Sequence, residues 1–328
     1  MISPFAISQL KENLNEVNYV TIYTDSSNHK STKIFPLLVR YFLPMDEVQV
    51  KLLELEDKCG ETSDIVSSYI LKTLSDHNIE NNIVGLCADN TNCNFGGAAR
   101  IGENNVYNII KNSLNKSFIG VGCSAHIVNN CIQTAIDCLP VCIESVMQKI
   151  YSYFYIYTVR EAKLREFFEF VEVEYAKLLS FSKTRWLSLL PAIERVIDLF
   201  PVSKSYFQSQ DKCPTLIKQF FENPLSEVWL QFLQSQAAVF SEYVSLLERQ
   251  YVSMVEGSAL IASLKQKLVD RRNSGFLPLV VISKLKAMEE SGLVHMSDFK
   301  KSVSSFYSNC IEYIDQRSSP FTEIFVLD

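Results

Sequence analysis

Two aspartates close apolar runs in the first third of the chain. Asp25 follows the run Val17–Tyr23 in "VNYVTIYTD", and Asp89 ends "NNIVGLCAD". Small polar residues follow both. If the two strands sit side by side, their ends bring the carboxylates together. Paired carboxylates offer oxygen ligands to a hard cation, Mg²⁺ or Mn²⁺. Such ions activate a water or hydroxyl and stabilise the leaving oxygen in phosphodiester cleavage. Taken singly, each aspartate is read more cheaply as a turn residue bonding its own backbone.

Four further groups of residues are weighed for chemistry. "CSAH" puts Cys123 and His126 three apart at the mouth of a helical segment. A structural zinc site needs about four ligands, and Cys131, Cys138 and Cys142 provide no second close pair. His126 is then either a residue positioning the Asp89 loop or a phosphate, or a satisfied half-buried histidine. "SKTRWLSL" carries Lys183, Arg185 and Trp186. Cations beside an indole can hold a phosphate and stack an exposed base. The same residues fit a helix start, capped by Ser182 or Thr184, with Trp186 in the core; on these residues alone the core reading is favoured. "YSYFYIYT" (151–158) is explained by a packed helix. Gly96 and Gly97 lack the spacing of a phosphate loop and read as turn glycines.

The elements that must position these residues change character along the chain. Val17–Tyr23, Ile34–Phe42 and Val48–Leu55 read as strands, with Pro36 sparing one ladder donor. Ser63–Leu74 has helical spacing, Asn82–Cys87 is a strand, Val106–Leu114 a helix and Phe118–Gly122 a strand. That order fits a mixed sheet with helices against it. After Ser124 glycines thin out and helical patterns dominate, in "HIVNNCIQTAIDCL", "LREFFEFVEVEYAKLL", "WLSLLPAIERVIDLF", "FLQSQAAVFSEYVSLLERQ" and "LIASLKQKLV". The expectation is α/β followed by all-α, divided into 1–140 and 141–328.

Bulk composition narrows the classes. With 328 residues, 47% hydrophobic and 21% charged, the chain has a soluble globular composition and enough length for a large core. Its apolar runs fall short of the ~20 residues that span a bilayer, so no membrane association is expected. The first residues lack the basic and apolar regions of a signal peptide. Nine scattered cysteines read as reduced thiols in the cytoplasm or nucleus. A net charge of −6 argues against whole-surface binding of nucleic acid but leaves room for a local basic groove.

"TDSSNHKSTKIFPLLVRYF", "GLCADNTNCNFGG", "GCSAHIVNNC" and "FSKTRWLSLLPAIERV" together resemble the catalytic region of hAT-superfamily transposases, especially domesticated, BED-finger-associated relatives. They occur in family order across nearly the whole chain. The resemblance implies a ribonuclease-H-like mixed sheet interrupted by a large helical insertion. It makes Asp25 and Asp89 the first two acids of an Asp/Asp/Glu triad that binds Mg²⁺ or Mn²⁺. It places Cys123, His126, Lys183, Arg185 and Trp186 at DNA. The family's third acid, in a segment like Ser-Glu-Arg, is not found; Glu312 and Glu323 lie before the expected return to the sheet. The resemblance therefore implies a missing return helix and dimerisation part, and an apolar patch for a protein partner to cover. The expected function is a transposase-derived, nuclear protein that is catalytically inactive and keeps weak, vestigial DNA binding. The alternatives are an active metal-dependent transposase or nuclease completed by further sequence, and a helical interaction scaffold.

Overall fold

The structure is a computed structural model that describes residues 4–29, 32–58, 60–97, 100–171, 174, 177–179 and 187–323. In chain order the first elements are α1 (Pro4–Glu16), β1 (Val20–Thr24), β2 (Ser27–His29), β3 (Thr32–Leu43), β4 (Glu47–Lys58), α2 (Ser63–Asp76), β5 (Ile83–Ala88), α3 (Asn92–Phe95), α4 (Val106–Leu114) and β6 (Ile119–Gly122). The strands form one mixed sheet in the order β2-β3-β1-β5-β6, with β4 on the other edge of β3. β3 runs antiparallel to β1, β2 and β4, whereas β1, β5 and β6 are parallel. Pro36 falls between the β3 residues paired with β2 and those paired with β1, a place where one donor can be spared.

Alternation sets which face is covered. Val20, Ile22 and Thr24 of β1 are buried, and so are Phe35, Leu37, Val39 and Tyr41 of β3. Against them pack Leu10 and Leu14 of α1, Val66, Tyr69, Ile70 and Leu74 of α2, and Val106 and Ile110 of α4. Burying a side chain such as Ile22, Leu37 or Ile70 completely contributes about 1.5–3 kcal/mol. The Tyr69 hydroxyl donates to the Phe35 carbonyl at 3.1 Å, so a polar tip in this core is satisfied. Helix α2 starts at Thr62, whose hydroxyl accepts from the Ile65 amide.

The remaining elements are helices: α5 (Ser124–Ile136), α6 (Ile143–Tyr155), α7 (Thr158–Phe170), α8 (Leu189–Asp198), α9 (Phe200–Gln208), α10 (Thr215–Glu222), α11 (Ser226–Leu247), α12 (Met254–Ser274), α13 (Leu279–Glu290) and α14 (Met296–Glu323). The helix expected across 164–179 ends earlier, at Phe170, and 177–179 are not helical. The aromatic run 151–158 is also only partly a packed helix. Phe154 is buried, but Tyr155 and Tyr157 are 65% and 53% exposed. None of the described helices is long and apolar enough to cross a membrane.

Two compact units result. The sheet unit holds the described residues of Met1–Ile127, Gln250–Ser258 and Asp315–Asp328; the helical unit holds Val128–Arg249 and Ala259–Ile314. The division thus falls inside α5 and not at 140. Beyond Ile127 this helix turns its apolar side to the helical core, where the Cys131 thiol meets the Cys310 carbonyl at 3.3 Å. Residues 250–258 join the sheet unit, where Arg40 Nη1 donates to the Val252 carbonyl at 2.9 Å. The last turns of α14 also belong to the sheet unit, although the resemblance implies that the chain stops short of returning there.

In the helical unit, Phe154, Tyr206, Phe207, Phe220 and Phe221 form one aromatic cluster. Trp229 and Phe299 stack at a centroid distance of 3.9 Å in another.

Candidate metal centre

Parallel pairing aligns three strand ends. Tyr23 lies opposite Cys87, so Asp25 and Asp89 each leave their strand two residues later. Ala88 lies opposite Gly122, and the Cys123 amide donates to the Ala88 carbonyl at 2.7 Å. Helix α5 begins at Ser124, which puts His126 on its first turn. The outcome is a trio in which ligand atoms of Asp25, Asp89 and His126 all lie within 4.8 Å of one another. Asp25 is exposed at the rim, while Asp89 and His126 are half-buried.

The loop after β5 fixes Asp89. Its Oδ1 accepts from the Thr91 amide at 3.3 Å, the Thr91 hydroxyl at 2.8 Å and Asn94 Nδ2 at 2.6 Å. Thr91 in turn caps α3 by accepting from the Asn94 amide. Gly96 ends that short helix at φ 74°, where a Cβ would run into the Ile101 carbonyl. Among the described residues no donor reaches Asp89 Oδ2. One oxygen therefore does the work of a turn and the other stays available, so the two readings of this aspartate are compatible. Gly122 completes the packing, because a Cβ there would overlap the Asn90 side chain.

Electrostatics act on Asp25 and His126 in opposite directions, disfavouring an unpaired charge on either. Desolvation pushes the Asp25 carboxyl above its ordinary value, and the Asp89 charge adds to that rise; His126, the Ser26 amide and Lys33 oppose it. Desolvation also lowers His126, outweighing the pull of the two carboxylates. A lowered imidazole is neutral near pH 7 and keeps a lone pair for a cation. Cys123 lies outside the trio, and burial raises its thiol, which keeps it from the thiolate a metal needs.

The residues present suit a divalent cation. Two carboxylates fit Mg²⁺ or Mn²⁺, and a neutral imidazole shifts the preference towards Mn²⁺. Asp25 and Asp89 open on a cleft of about 330 Å³ that Glu61 and Phe35 also line. Lys183, Arg185 and Trp186 lie outside the described residues. Glu323 falls in the stretch that rejoins the sheet unit, but its side chain is not among those described.

Spacing along the chain does not place His126 beside both aspartates; the parallel step from β5 to β6 does. His126 is a candidate from the sequence, as a residue positioning the Asp89 loop; Glu61 is one that motif reading misses, and its only signal is its place just before the α2 cap. No family model and no curated protein matches the chain.

Proposed function

We propose that the protein is a hAT-like, transposase-derived protein whose ribonuclease-H-like sheet keeps a Mg²⁺ or Mn²⁺ site and engages DNA there without cutting it. The observation that carries this reading is the Asp25/Asp89/His126 trio at three adjacent parallel strand ends. The strand order supports it as well: an antiparallel β4-β3-β1 portion continues into parallel β5 and β6. The four sequence stretches named above supply the family resemblance.

Asp25 and the free oxygen of Asp89 would hold the ion, and Thr91 and Asn94 keep Asp89 from rotating away. His126 closes the third side as a neutral imidazole. When bound, the ion supplies Lewis-acid stabilisation of a phosphate oxygen. Lys183, Arg185 and Trp186 would add backbone and base contacts, making binding sensitive to salt. Cleavage needs a further acid on the returning segment, and none is identified. A nuclear location follows from this reading.

The test is binding to a DNA hairpin in Mn²⁺ and in EDTA. Mn²⁺-dependent, salt-sensitive binding without nicking, lost in Asp25→Ala and Asp89→Ala, is expected. Binding indifferent to Mn²⁺ and to both substitutions would sink the proposal. A second reading, an active nuclease or transposase, draws on His126 as a third ligand. Nicking that disappears in Asp25→Ala or Asp89→Ala would establish it instead.

A further inference from the structure

Glu61 opens on the same cleft as Asp25 and Asp89. Its carboxylate is held by an ion pair with Lys33, whose side chain is 20% exposed against 59% for Glu61. The position of Lys33 follows from strand alternation. Phe35, Leu37, Val39 and Tyr41 share the covered face of β3, and Lys33 heads that row. It therefore emerges beyond the carboxyl end of β1, where Thr24 is paired with Leu37. The ammonium also acts on Asp25 and on Cys93 through space. The Cys93 thiol donates to the Glu61 carbonyl at 3.0 Å, tying the Glu61 backbone to α3 just after Asp89. At the cleft, Glu61 thus has a tethered backbone and an exposed carboxylate paired with the Lys33 ammonium.

We infer that Glu61 is a third carboxylate ligand of the Asp25/Asp89/His126 site, and that Lys33 holds it aside until a divalent ion takes it. This rests on reading that trio as a cation site. A hard divalent ion held by Asp25, Asp89 and His126 would take further oxygen ligands. Among the described residues Glu61 is the further carboxylate lining the cleft, and its side chain is 59% exposed, so its rotamers meet solvent more than packed neighbours. A half-exposed ion pair is a weak clamp, so the exchange of Lys33 for a divalent ion is readily made. Lys33 serves in the meantime as a built-in counter-charge that reduces repulsion among the acids.

Mn²⁺ binding to the purified chain, followed by electron paramagnetic resonance, tests this without any activity assay. Glu61→Gln should weaken binding by about tenfold. Glu61→Asp keeps the charge but shortens the reach, and should weaken it comparably. Lys33→Met should tighten binding several-fold in the wild-type background and by clearly less in Glu61→Gln, where only its through-space effect on Asp25 remains. Wild-type affinity in Glu61→Asp, or an equal gain from Lys33→Met in the Glu61→Gln background, would show that only net charge matters and would overturn the assignment of Glu61. Wild-type affinity in Asp25→Asn/Asp89→Asn would overturn the cation-site reading and this inference together. Loss in that double variant with full binding in Glu61→Asp would overturn this inference alone.

Discussion

Asp25 and Asp89, 64 positions apart in sequence, hold carboxylate oxygens within 4.8 Å of each other, and no described lysine or arginine forms a direct ion pair with either. Like charges at this range repel, which is one reason the Asp25 carboxyl is pushed up after desolvation. A fold keeps such a pair at some expense in stability when the pair has a task.

That expense is measurable. Without divalent ions at pH 7, Asp25→Asn should raise Tm by on the order of 1–2 °C, a small shift because the site is solvent-screened. With Mn²⁺ at 100 times its Kd, the wild-type protein should gain about 2.7 kcal/mol of stability. The variant should gain far less. Differential scanning fluorimetry with and without Mn²⁺ reads both effects, and an equal gain in the two proteins would count against the site.

Much of this arrangement is legible from the chain because it rests on local patterns. Apolar alternation marks β1, β3 and β5, and each aspartate stands where the alternation stops. Features made by distant partners are not legible. Arg40 reaches Val252 across 212 positions, and no motif announces that contact. β2 (Ser27–His29) and α3 (Asn92–Phe95) are too short to show a period. Lys33 and Glu61 look like ordinary surface charges until the fold pairs them beside the cleft that Glu61 lines. The helical stretch of α5 reads as one element, yet the boundary between units runs through it.

The lowered His126 gives a pH dependence with a definite sign. Its folded pKa lies below the ordinary 6.5. Between those two values the unfolded chain binds more protons than the folded one, so stability rises with pH through this window and falls on acidification below about 6.5. Asp25 works the other way in its own window, above the ordinary 3.8, where the folded chain holds the extra proton and stability falls as pH rises. Urea unfolding at pH 7.5 and 5.5, without metal, should show a loss on acidification that His126→Gln reduces. An identical loss in that variant would remove His126 as its source.

Asn94 tests whether the loop presents Asp89 correctly. Its amide donates to Asp89 Oδ1 at 2.6 Å, a bond to a charged acceptor that is stronger than a neutral one. Asn94→Ala should cost about 1.5–3 kcal/mol at most. It should also weaken Mn²⁺ binding by roughly tenfold, as loss of an outer-shell partner commonly does. Isothermal titration with Mn²⁺ checks this, and unchanged affinity would show that Thr91 alone suffices.

Gly120 tests the packing beneath the site. A Cβ there would lie 2.5 Å from Tyr107 and 2.8 Å from Phe95. Those rings are in contact with each other at a centroid distance of 5.9 Å, so neither moves freely. Gly120→Ala should destabilise the sheet unit by about 1–3 kcal/mol through overpacking. Chemical denaturation gives the value, and a neutral result would mean that the rings give way.

The helical unit offers a test that separates volume from polarity. Trp229 is 1% exposed and stacks on Phe299 at 3.9 Å with the ring planes 23° apart. Its indole N–H is buried without a partner among the described residues. An unsatisfied buried donor costs about 1–3 kcal/mol, so part of what the ring contributes by burial is cancelled by its nitrogen. Trp229→Ala removes the ring and leaves a cavity, and should cost about 3–5 kcal/mol. Trp229→Phe keeps most of the stacking surface and removes the orphan donor, so its cost should be well under half of that. Guanidinium unfolding of both variants, followed by far-ultraviolet circular dichroism, distinguishes the cases. Equal losses would mean that the indole nitrogen is satisfied in solution and that Trp229 contributes through shape and hydrogen bonding together.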